Sequence, residues 1–488
     1  MISNVSKSSS ESLFPKIKHF LFTSNDDLAS QVRSWSKWLT PGISIKRWLL
    51  VNVIGIMLVS LGISSLWELL IANYSFAWLT ELLVTVDRLF SSYILGIGAI
   101  SVGLYLACWG QARSVSSITK ALNPEGHQEL VDILLSKCRL NRGHKIVALG
   151  GGTGLSSLLR GLKHHSSNLT AVVTVADDGG SSGRLREELG VLPPGDIRNC
   201  ITALAKEENL VTQLFQYRFA AGGGLEGHSF GNLFLTAMSE VTGNFETALA
   251  ASSKILAVQG QVLPATLSNV SLWAELDQGQ IVRGESKIAA TEGKINQIGC
   301  FPANPKALPA ALKAIKSADC IVLGPGSLYT SIIPNLLVPE IREAIAKAKV
   351  PCIYVCNIMT QSGETDGYTV ADHIKAIDRV CGQKLFDAVL VNQTAPSGAA
   401  ISQYAEENSQ PVVLDIEEVK ATGRQIILAD ILDEDPHTHH IRHHSPKLAK
   451  ALNNLAGKIT STKKNKSFQF NLNNTESKKC IAYSYSNH

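Results

Sequence analysis

The feature that most constrains the fold is a repeated unit that begins near residue 145. Each unit has a short run rich in β-branched residues, then a loop rich in glycine or small polar residues, then a helical stretch. Five runs are predicted as strands, at residues 145–149, 171–176, 319–323, 352–356 and 388–391. Strands that alternate with helices in this way form a parallel sheet covered on both faces. The sequence therefore predicts a doubly wound α/β fold.

A different pattern interrupts these units between residues 262 and 283. Residues 262–263, 270–276 and 280–283 alternate polar and apolar side chains around the turn sequence Asp277-Gln278-Gly279. Alternation with a short turn is typical of antiparallel strands with one solvated face. We expect a small antiparallel insertion in the sheet domain.

Charge and cysteine content exclude some classes of protein. The chain has 45 Lys and Arg against 41 Asp and Glu, a formal charge of +4 over 488 residues. This balance gives no basic excess of the kind that binds phosphate backbones, so no nucleic-acid partner is expected. Nine cysteines without a CxxC pair indicate buried thiols in a reducing compartment.

Two uncharged apolar runs precede the predicted domain. They cover residues 48–67 and 89–112, each long enough to cross about 30 Å of hydrocarbon at about 1.5 Å per residue. Two buried core helices are the alternative, but neither run has the polar face of a soluble helix. We expect a transmembrane helical hairpin over residues 46–113, behind a flexible cytoplasmic leader at 1–45.

The charges that flank these runs predict the orientation of the hairpin. Basic residues precede the first run and follow the second, whereas the intervening loop is mainly acidic. By the positive-inside rule both outer flanks are cytoplasmic. The predicted order is then a helical connector at 114–143, the main cytoplasmic domain at 144–458, and a polar, disordered tail at 459–488. The chain is expected to be anchored in the inner membrane.

A glycine-rich loop follows the first predicted strand and opens a helix. It comprises Gly150, Gly151, Gly152, Thr153 and Gly154. At such a position backbone N–H groups and the helix dipole converge on an anion, and glycine lets a phosphate approach the backbone. The loop matches neither GxGxxG nor the Walker sequence, and a simple tight turn is the alternative.

A second loop ends the next strand at the same edge of the sheet, where ligands bind in open α/β folds. Asp177 and Asp178 are candidates to hold Mg²⁺ or to bind ribose hydroxyls. The residues that follow them are candidate phosphate ligands: Gly179, Gly180, Ser181, Ser182 and Arg184. Mg²⁺ is the one cofactor that the sequence suggests.

Further candidates lie in two later segments. Asp196 is predicted either to cap a helix or, with Asn199, to face the ligand. His228 and Asn232 lie four residues apart on a predicted helical face. His228 could be an acid or base, although a structural hydrogen-bonding role is the more common one for a single histidine.

Two more strand ends complete the predicted site. Gly324, Gly326 and Ser327 follow the third predicted strand and could form a second anion-binding loop. Asn357 and Thr360 follow the fourth in the same topological position. Five histidines between 437 and 444 favour a solvated segment over a metal site.

Taken together, these motifs resemble the CofD-like superfamily and, within it, the YvcK-type gluconeogenesis factors. The resemblance covers about residues 144–455 and rests on GGGTG, VADDGGSSGRLR, PPGDIRNC, GHSFGN, LPATL, GPGSLYTSIIPNLLVP and MTQSGETDGYT. It implies a Rossmann-like fold, binding of a uridine nucleotide sugar, and a role in cell shape and cell-wall homeostasis during gluconeogenic growth. Tyr404 and Arg442 match family positions associated with the ligand, whereas His444 stands where the family more often has Asp.

Three functions are compatible with these features. The first is a regulator that binds a UDP-sugar without turnover and acts through an unidentified protein partner, as a monomer or a homo-oligomer. The second, also implied by the resemblance, is a 2-phospho-L-lactate transferase-like enzyme that joins a nucleoside-diphosphate donor to a deazaflavin acceptor with Mg²⁺. The third is a structural scaffold at the membrane. The density of Gly, Asp and Asn at strand ends argues against the third.

Overall fold

The computed structural model describes residues 130–206, 208–277 and 279–462. By its contacts the chain divides into two units, Met1–Cys138 and Arg139–His488. The predicted leader, the predicted hairpin at 46–113, the first part of the connector and the tail beyond residue 462 lie outside the described residues. Within the described ranges, no helix has both the length and the apolar composition that a membrane crossing requires.

Twelve strands and fifteen α-helices make up the described part of the chain. The strands are β1 Ile146–Gly150, β2 Leu169–Val173, β3 Gln261–Pro264, β4 Ser271–Leu276, β5 Ile281–Arg283, β6 Ile295–Phe301, β7 Cys320–Leu323, β8 Cys352–Val355, β9 Ala388–Asn392, β10 Gln425–Ala429, β11 Leu432–Glu434 and β12 Ile441–His443. The helices are α1 Leu130–Asn141, α2 Gly152–Leu162, α3 Gly180–Leu189, α4 Gly195–Leu204, α5 Glu208–Gln216, α6 Phe230–Thr242, α7 Phe245–Ile255, α8 Glu285–Ala290, α9 Pro309–Ser317, α10 Ile333–Leu336, α11 Pro339–Lys347, α12 Val370–Cys381, α13 Gly398–Glu406, α14 Ile416–Ala421 and α15 Ser445–Thr462.

The central sheet has seven parallel strands in the order β10-β9-β8-β7-β1-β2-β3. All five predicted strands belong to it, with ends that differ by at most three residues. Successive side chains of a strand point to opposite faces. Accordingly, Ile146 and Ala148 join one apolar core while Val147 and Leu149 join the other. Helices cover both faces, which confirms the α/β prediction.

Strand order reverses at one point in this sheet. From β1 the chain adds β2 and β3 in one direction, and from β7 it adds β8, β9 and β10 in the other. β1 and β7 are neighbours, paired from Ile146 with Cys320 to Leu149 with Leu323. In open α/β sheets the crevice outside such a reversal is the usual ligand site.

The antiparallel insertion is present as a three-stranded sheet, β5-β4-β6. Its inner face buries Leu272, Ala274 and Leu276. One part of the prediction was wrong, because residues 262–263 belong to β3 at the edge of the parallel sheet. The sequence interpretation also missed β6, β10 and the hairpin β11–β12.

Candidate functional site

A polar cleft of about 580 Å³ opens at the carboxyl edge of the sheet, over the point where strand order reverses. This volume lies within the range of small-molecule sites. The lining residues come from the loops after β1, β2, β7 and β8, from helices α2, α4, α8 and α13, and from β12: Gly151, Gly152, Thr153, Gly154, Ser157, Thr174, Asp177, Asp196, Asn199, Glu285, Pro325, Gly326, Ser327, Thr330, Ser331, Asn357, Ile358, Met359, Thr360, Gln361, Tyr404, Ile441, Arg442 and His443.

The glycine loop after β1 lies in the middle of the cleft and begins α2. Gly152 has φ +63°, a left-handed conformation that favours glycine. A side chain at Gly154 would place its Cβ 2.7 Å from the carbonyl oxygen of Pro325. Glycine at 154 thus lets the loops after β1 and β7 touch. The N–H groups of Thr153 and Gly154 in the first turn of α2 have no partner within the helix and are available to an anion, whereas the N–H of Gly152 donates to the Asp196 carboxyl.

The loop after β7 carries Ser327, which is oriented by Gln361 from the loop after β8. The side-chain Nε2 of Gln361 donates to Ser327 Oγ over 2.8 Å. Asn357 Nδ2 lies 3.5 Å from Gln361 Oε1. Because Ser327 Oγ accepts from Gln361, its own hydrogen is available to donate to an oxygen in the cleft.

Three carboxyl groups, Asp177, Asp196 and Glu285, line one end of the cleft and are called the acidic wall. Burial, with the charge of Asp177 second, raises the pKa of Asp196 to about 6. Burial raises the pKa of Glu285 to about 8, and the charges of Asp177, Asp178, Asp196 and Glu364 add to it. Like charges in a partly buried site disfavour full ionisation. At neutral pH the wall therefore combines neutral and ionised carboxyls.

Asp196 is not the helix cap that one interpretation of its sequence suggested. Pro194 occupies the N-cap of α4, and Asp196 lies in the first turn without capping it. Its carboxyl faces the glycine loop: a Cβ built on Gly151 would lie 2.3 Å from Asp196 Oδ2. Glycine at 151 is therefore required for this close approach.

Asp178 supports the acidic wall from outside the cleft. Its carboxylate oxygens accept the backbone N–H groups of Glu285 and Ser286 over 3.0 and 2.9 Å. These bonds hold the first turn of α8, and with it Glu285, beside Asp177. Glu285 was missed by sequence reasoning because it reaches the site from the antiparallel insertion, about a hundred residues after Asp177.

A buried hydrogen-bond network lies behind the acidic wall. Arg198 donates to Asn199 Oδ1 over 3.0 Å and to Asn232 Oδ1 over 3.1 Å. The amide nitrogen of Asn232 in turn donates to Ser181 Oγ over 3.0 Å, and His228 Nδ1 lies 3.0 Å from the same oxygen. Burial, followed by the charge of Arg184, lowers the pKa of His228. His228 and Asn232 do come together, as structural partners of Ser181 and not as cleft residues.

The opposite end of the cleft is formed by β12 and the loop after β8. The Tyr404 hydroxyl accepts the backbone N–H of Ile441 over 3.0 Å, which ties α13 to β12. His443 Nε2 lies 3.3 Å from the carbonyl oxygen of Cys356, and burial lowers the pKa of His443 to about 4. His443 is therefore neutral at physiological pH. Arg442 is the one residue with a permanent positive charge among those that line the cleft.

Comparison with known proteins assigns the chain to a family. The family model described as 2-phospho-L-lactate transferase CofD matches residues 146–432, more than half of the chain. The chain belongs to the CofD family. The match includes every strand of the parallel sheet. It also includes all residues that line the cleft except those of β12.

Similar proteins place this CofD-family chain among the gluconeogenesis factors. A provisionally named gluconeogenesis factor of Nostoc sp. is 61% identical over 427 residues, which cover 86% of this chain and 92% of the relative. A Bacillus subtilis protein named gluconeogenesis factor is 49% identical and covers 64% of this chain and 98% of its own length. A crystal structure of a Bacillus halodurans protein aligns with TM-score 0.62 and 48% identity, over 64% of this chain and 99% of that one.

Within the CofD-family domain the structure separates the candidate residues into two groups. The first group lines the cleft: Gly151, Gly152, Thr153, Gly154, Asp177, Asp196, Asn199, Gly326, Ser327, Asn357, Thr360, Tyr404 and Arg442. The second group lies behind or beside the lining: Gly150, Asp178, Gly179, Gly180, Ser181, Ser182, Arg184, His228, Asn232 and Gly324. In particular, the Arg184 guanidinium donates to the carbonyl oxygen of Glu226 over 2.7 Å.

The predicted metal ligands do not act as a pair in this structure. Asp177 lines the cleft, whereas both oxygens of Asp178 accept backbone N–H groups of α8. No group of three or more His, Cys, Asp or Glu side chains in the described ranges is arranged to hold a metal ion. This includes the histidines after residue 436, of which His439 contacts Glu434 and His443 contacts Cys356. Asp177 and Asp178 therefore do not together form the Mg²⁺ site that the sequence predicted.

Proposed function

We propose that this protein is a regulator that binds a uridine-diphosphate sugar in the cleft and controls cell shape and cell-wall homeostasis during gluconeogenic growth. The names of its relatives support the link to gluconeogenesis, and the role in cell shape and the cell wall is what the family resemblance implies. The observation that carries the ligand assignment is the position of two glycine loops, after β1 and β7, side by side where strand order reverses. Polar ends extend the cleft on both sides of these loops.

The two glycine loops supply what a diphosphate requires. The N–H groups at the start of α2 and the Ser327 hydroxyl are donors, and the helix dipole favours negative charge at this end. Hydrogen bonds to a charged group contribute about 1.5–3 kcal/mol each. Three such bonds would contribute about 4.5–9 kcal/mol, so after the cost of association a micromolar complex, about −8 kcal/mol, also requires contacts to the base and the sugar.

The proposal is tested by titrating the full-length protein with UDP-glucose, UDP-N-acetylglucosamine and UDP in a calorimeter. We expect saturable binding of the sugars at one site per chain, with no change in the ligand when it is recovered. ADP-glucose is the matched control, because it keeps the diphosphate and hexose and changes only the base. Absence of heat with every uridine nucleotide, in protein shown to be folded, would contradict the proposal.

A transferase activity is the second candidate, and the description of the matching family model favours it. In that case a deazaflavin alcohol would attack the phosphorus of the donor that carries the lactyl or enolpyruvyl group, the nucleoside monophosphate would leave, and a metal ion would neutralise the charge on that leaving group. The test is incubation with a guanosine-diphospho-lactyl or enolpyruvyl donor, a deazaflavin acceptor and Mg²⁺, followed by mass spectrometry. Formation of the phosphodiester product would establish the enzyme; recovery of unreacted substrates supports the regulator.

We propose in addition that residues 46–113 anchor the domain to the inner face of the membrane, where it meets a protein partner of envelope synthesis. The support is the length of the two uncharged runs and the basic residues outside them. Reporter fusions after residue 120 should give cytoplasmic signals, and the intact chain should require detergent for extraction. Recovery of the whole chain in the soluble fraction would refute the anchor.

A further inference from the structure

The order of strands fixes the order of chemical groups along the cleft. β2, β1, β7 and β8 are consecutive neighbours in the sheet. Neighbouring strands lie about 4.8 Å apart, so the ends of β2 and β8 are separated by about 14 Å. Asp177 follows β2, the two glycine loops follow β1 and β7, and Asn357 follows β8. The phosphate-binding loops therefore lie between two chemically different ends.

The end after β8 offers hydrogen-bond donors. Arg442 lines it, and Asn357 and Gln361 bring side-chain amides. A uracil ring presents two carbonyl oxygens and a single N–H, so it needs donors more than acceptors. Carboxylates would repel those carbonyl oxygens. The base of a uridine nucleotide thus fits the Arg442 end better than the acidic wall.

The end after β2 offers acceptors. Asp177, Asp196 and Glu285 converge there from a loop after β2, from α4 and from α8. Asn199 lies beside them, and because its Oδ1 accepts from Arg198, its amide N–H₂ is left to donate into the cleft. Carboxylates that accept two hydroxyls, next to an amide donor, are suited to the hydroxyl groups of a sugar ring.

We propose that the acidic wall is the subsite for the hexose of the nucleotide sugar, and that it selects uncharged sugars against sugar acids. This inference rests on the proposed function, since it presumes that the diphosphate occupies the glycine loops. The physical basis is Coulombic: a carboxylate on the sugar would lie against the carboxyl groups of the acidic wall, with no basic side chain among the residues that line this end. A neutral hydroxymethyl group at the same position meets acceptors that it can satisfy.

The arrangement also identifies Arg198 as a positioning residue. It does not line the cleft, but it donates to Asn199 Oδ1 and so fixes that amide, and its charge partly offsets the rise in the pKa of Asp196 that burial causes. Asp178 has the same kind of role for Glu285, through the first turn of α8.

The experiment compares UDP-glucose with UDP-glucuronate, two ligands that differ only at C6 of the hexose. Dissociation constants are measured on the full-length protein by calorimetry, without added metal. We expect UDP-glucuronate to bind about 100-fold more weakly, as for like charges a few Å apart near a protein surface. Asp177→Asn and, independently, Asp196→Asn should reduce this ratio by about 10-fold, while Asp277→Asn, an exposed acid in the turn after β4, should leave it unchanged. Thermal unfolding establishes that each variant is folded.

The outcomes separate this inference from the proposed function. Equal affinity for the two ligands would overturn the hexose subsite while the UDP-sugar proposal stands. An unchanged ratio in both folded variants would overturn the role of the acidic wall. Affinity that rises with Mg²⁺ and falls on chelation would show that the wall binds a phosphate-bound cation, and would also overturn the inference. Failure of both ligands to bind would contradict the proposed function itself.

Discussion

Replacement of Glu285 by glutamine should make the protein more stable at high pH and change it little at low pH. The Glu285 carboxyl lies against Asp177 and Asp196 in a partly buried site, and its pKa is raised from the usual 4.5 to about 8. In the folded protein the ionised form is therefore the unfavourable one. Glutamine keeps the size and hydrogen-bonding capacity of the neutral acid but cannot ionise.

The direction of this pH dependence follows from the protons that the folded and unfolded states bind at Glu285. Between pH 4.5 and 8 the folded protein holds a proton at Glu285 that the unfolded chain has released, so stability falls as pH rises through this window. Above pH 8 Glu285 is ionised in both the folded and the unfolded protein, and the folded state is destabilised by the full cost of burying this charge. Because the Glu285 side chain is partly exposed, we expect its ionisation to lower the free energy of unfolding by about 1–2 kcal/mol. This is much less than a direct conversion of the pKa shift into energy would give.

The assay is urea unfolding of the full-length wild type and the Glu285→Gln variant at pH 5 and pH 9. The variant should match the wild type within about 0.5 kcal/mol at pH 5 and exceed it by about 1–2 kcal/mol at pH 9. Glu240→Gln, an exposed glutamate of α6, is the control and should show no pH-dependent difference. A Glu285→Gln effect that is equal at the two pH values, or of opposite sign, would refute the electrostatic description of the acidic wall.

Three further substitutions examine the glycine loops and the ligand contacts. Gly154→Ala should weaken UDP-sugar binding at least 10-fold by separating the loops after β1 and β7, whereas Gly224→Ala, which has open space around it, should not; equal effects would disprove the loop argument. Arg442→Ala should weaken binding by about 10- to 150-fold, and Arg184→Ala by less than about 2-fold, because of the two only Arg442 lines the cleft. A larger loss of affinity for Arg184→Ala than for Arg442→Ala, measured by calorimetry, would show that the phosphates bind near Arg184. Asn335→Leu should cost about 1–3 kcal/mol in unfolding experiments, since buried Asn335 donates to the carbonyl oxygens of Gly150 and Ser331; an unchanged stability would contradict that role.

The central part of the fold could be predicted from sequence because its strands are short, apolar and closed by glycine loops. Both glycine loops and Asp177 follow such strands, and the topology of a parallel sheet brings their ends to one edge. The edge elements lack this pattern. β3 ends in Pro264, and β10 is only partly buried, so neither shows the continuous apolar run of a central strand.

Residues that reach the site through tertiary packing were harder to predict. Glu285 arrives from the insertion, held by Asp178, and nothing in the local sequence relates the two. Asp196 matched a common capping pattern, and its real orientation depends on the absence of a side chain at Gly151. His228 and Asn232 were predicted to share a helical face, but His228 precedes α6, and both side chains contact Ser181 behind the cleft. The periodicity of apolar residues locates helices and strands in the sequence. It does not show which side chains of two distant elements contact each other.

We propose that a nucleotide sugar lies across the sheet edge with its diphosphate at the reversal of strand order. A crystal structure of the full-length protein with UDP-glucose tests it most directly. We expect phosphate oxygens against the backbone N–H groups of Thr153 and Gly154 and the Ser327 hydroxyl, with uracil toward Arg442 and glucose against Asp177 and Asp196. A ligand bound outside this cleft, or one whose diphosphate contacts the Arg184 region and not the glycine loops, would contradict the account.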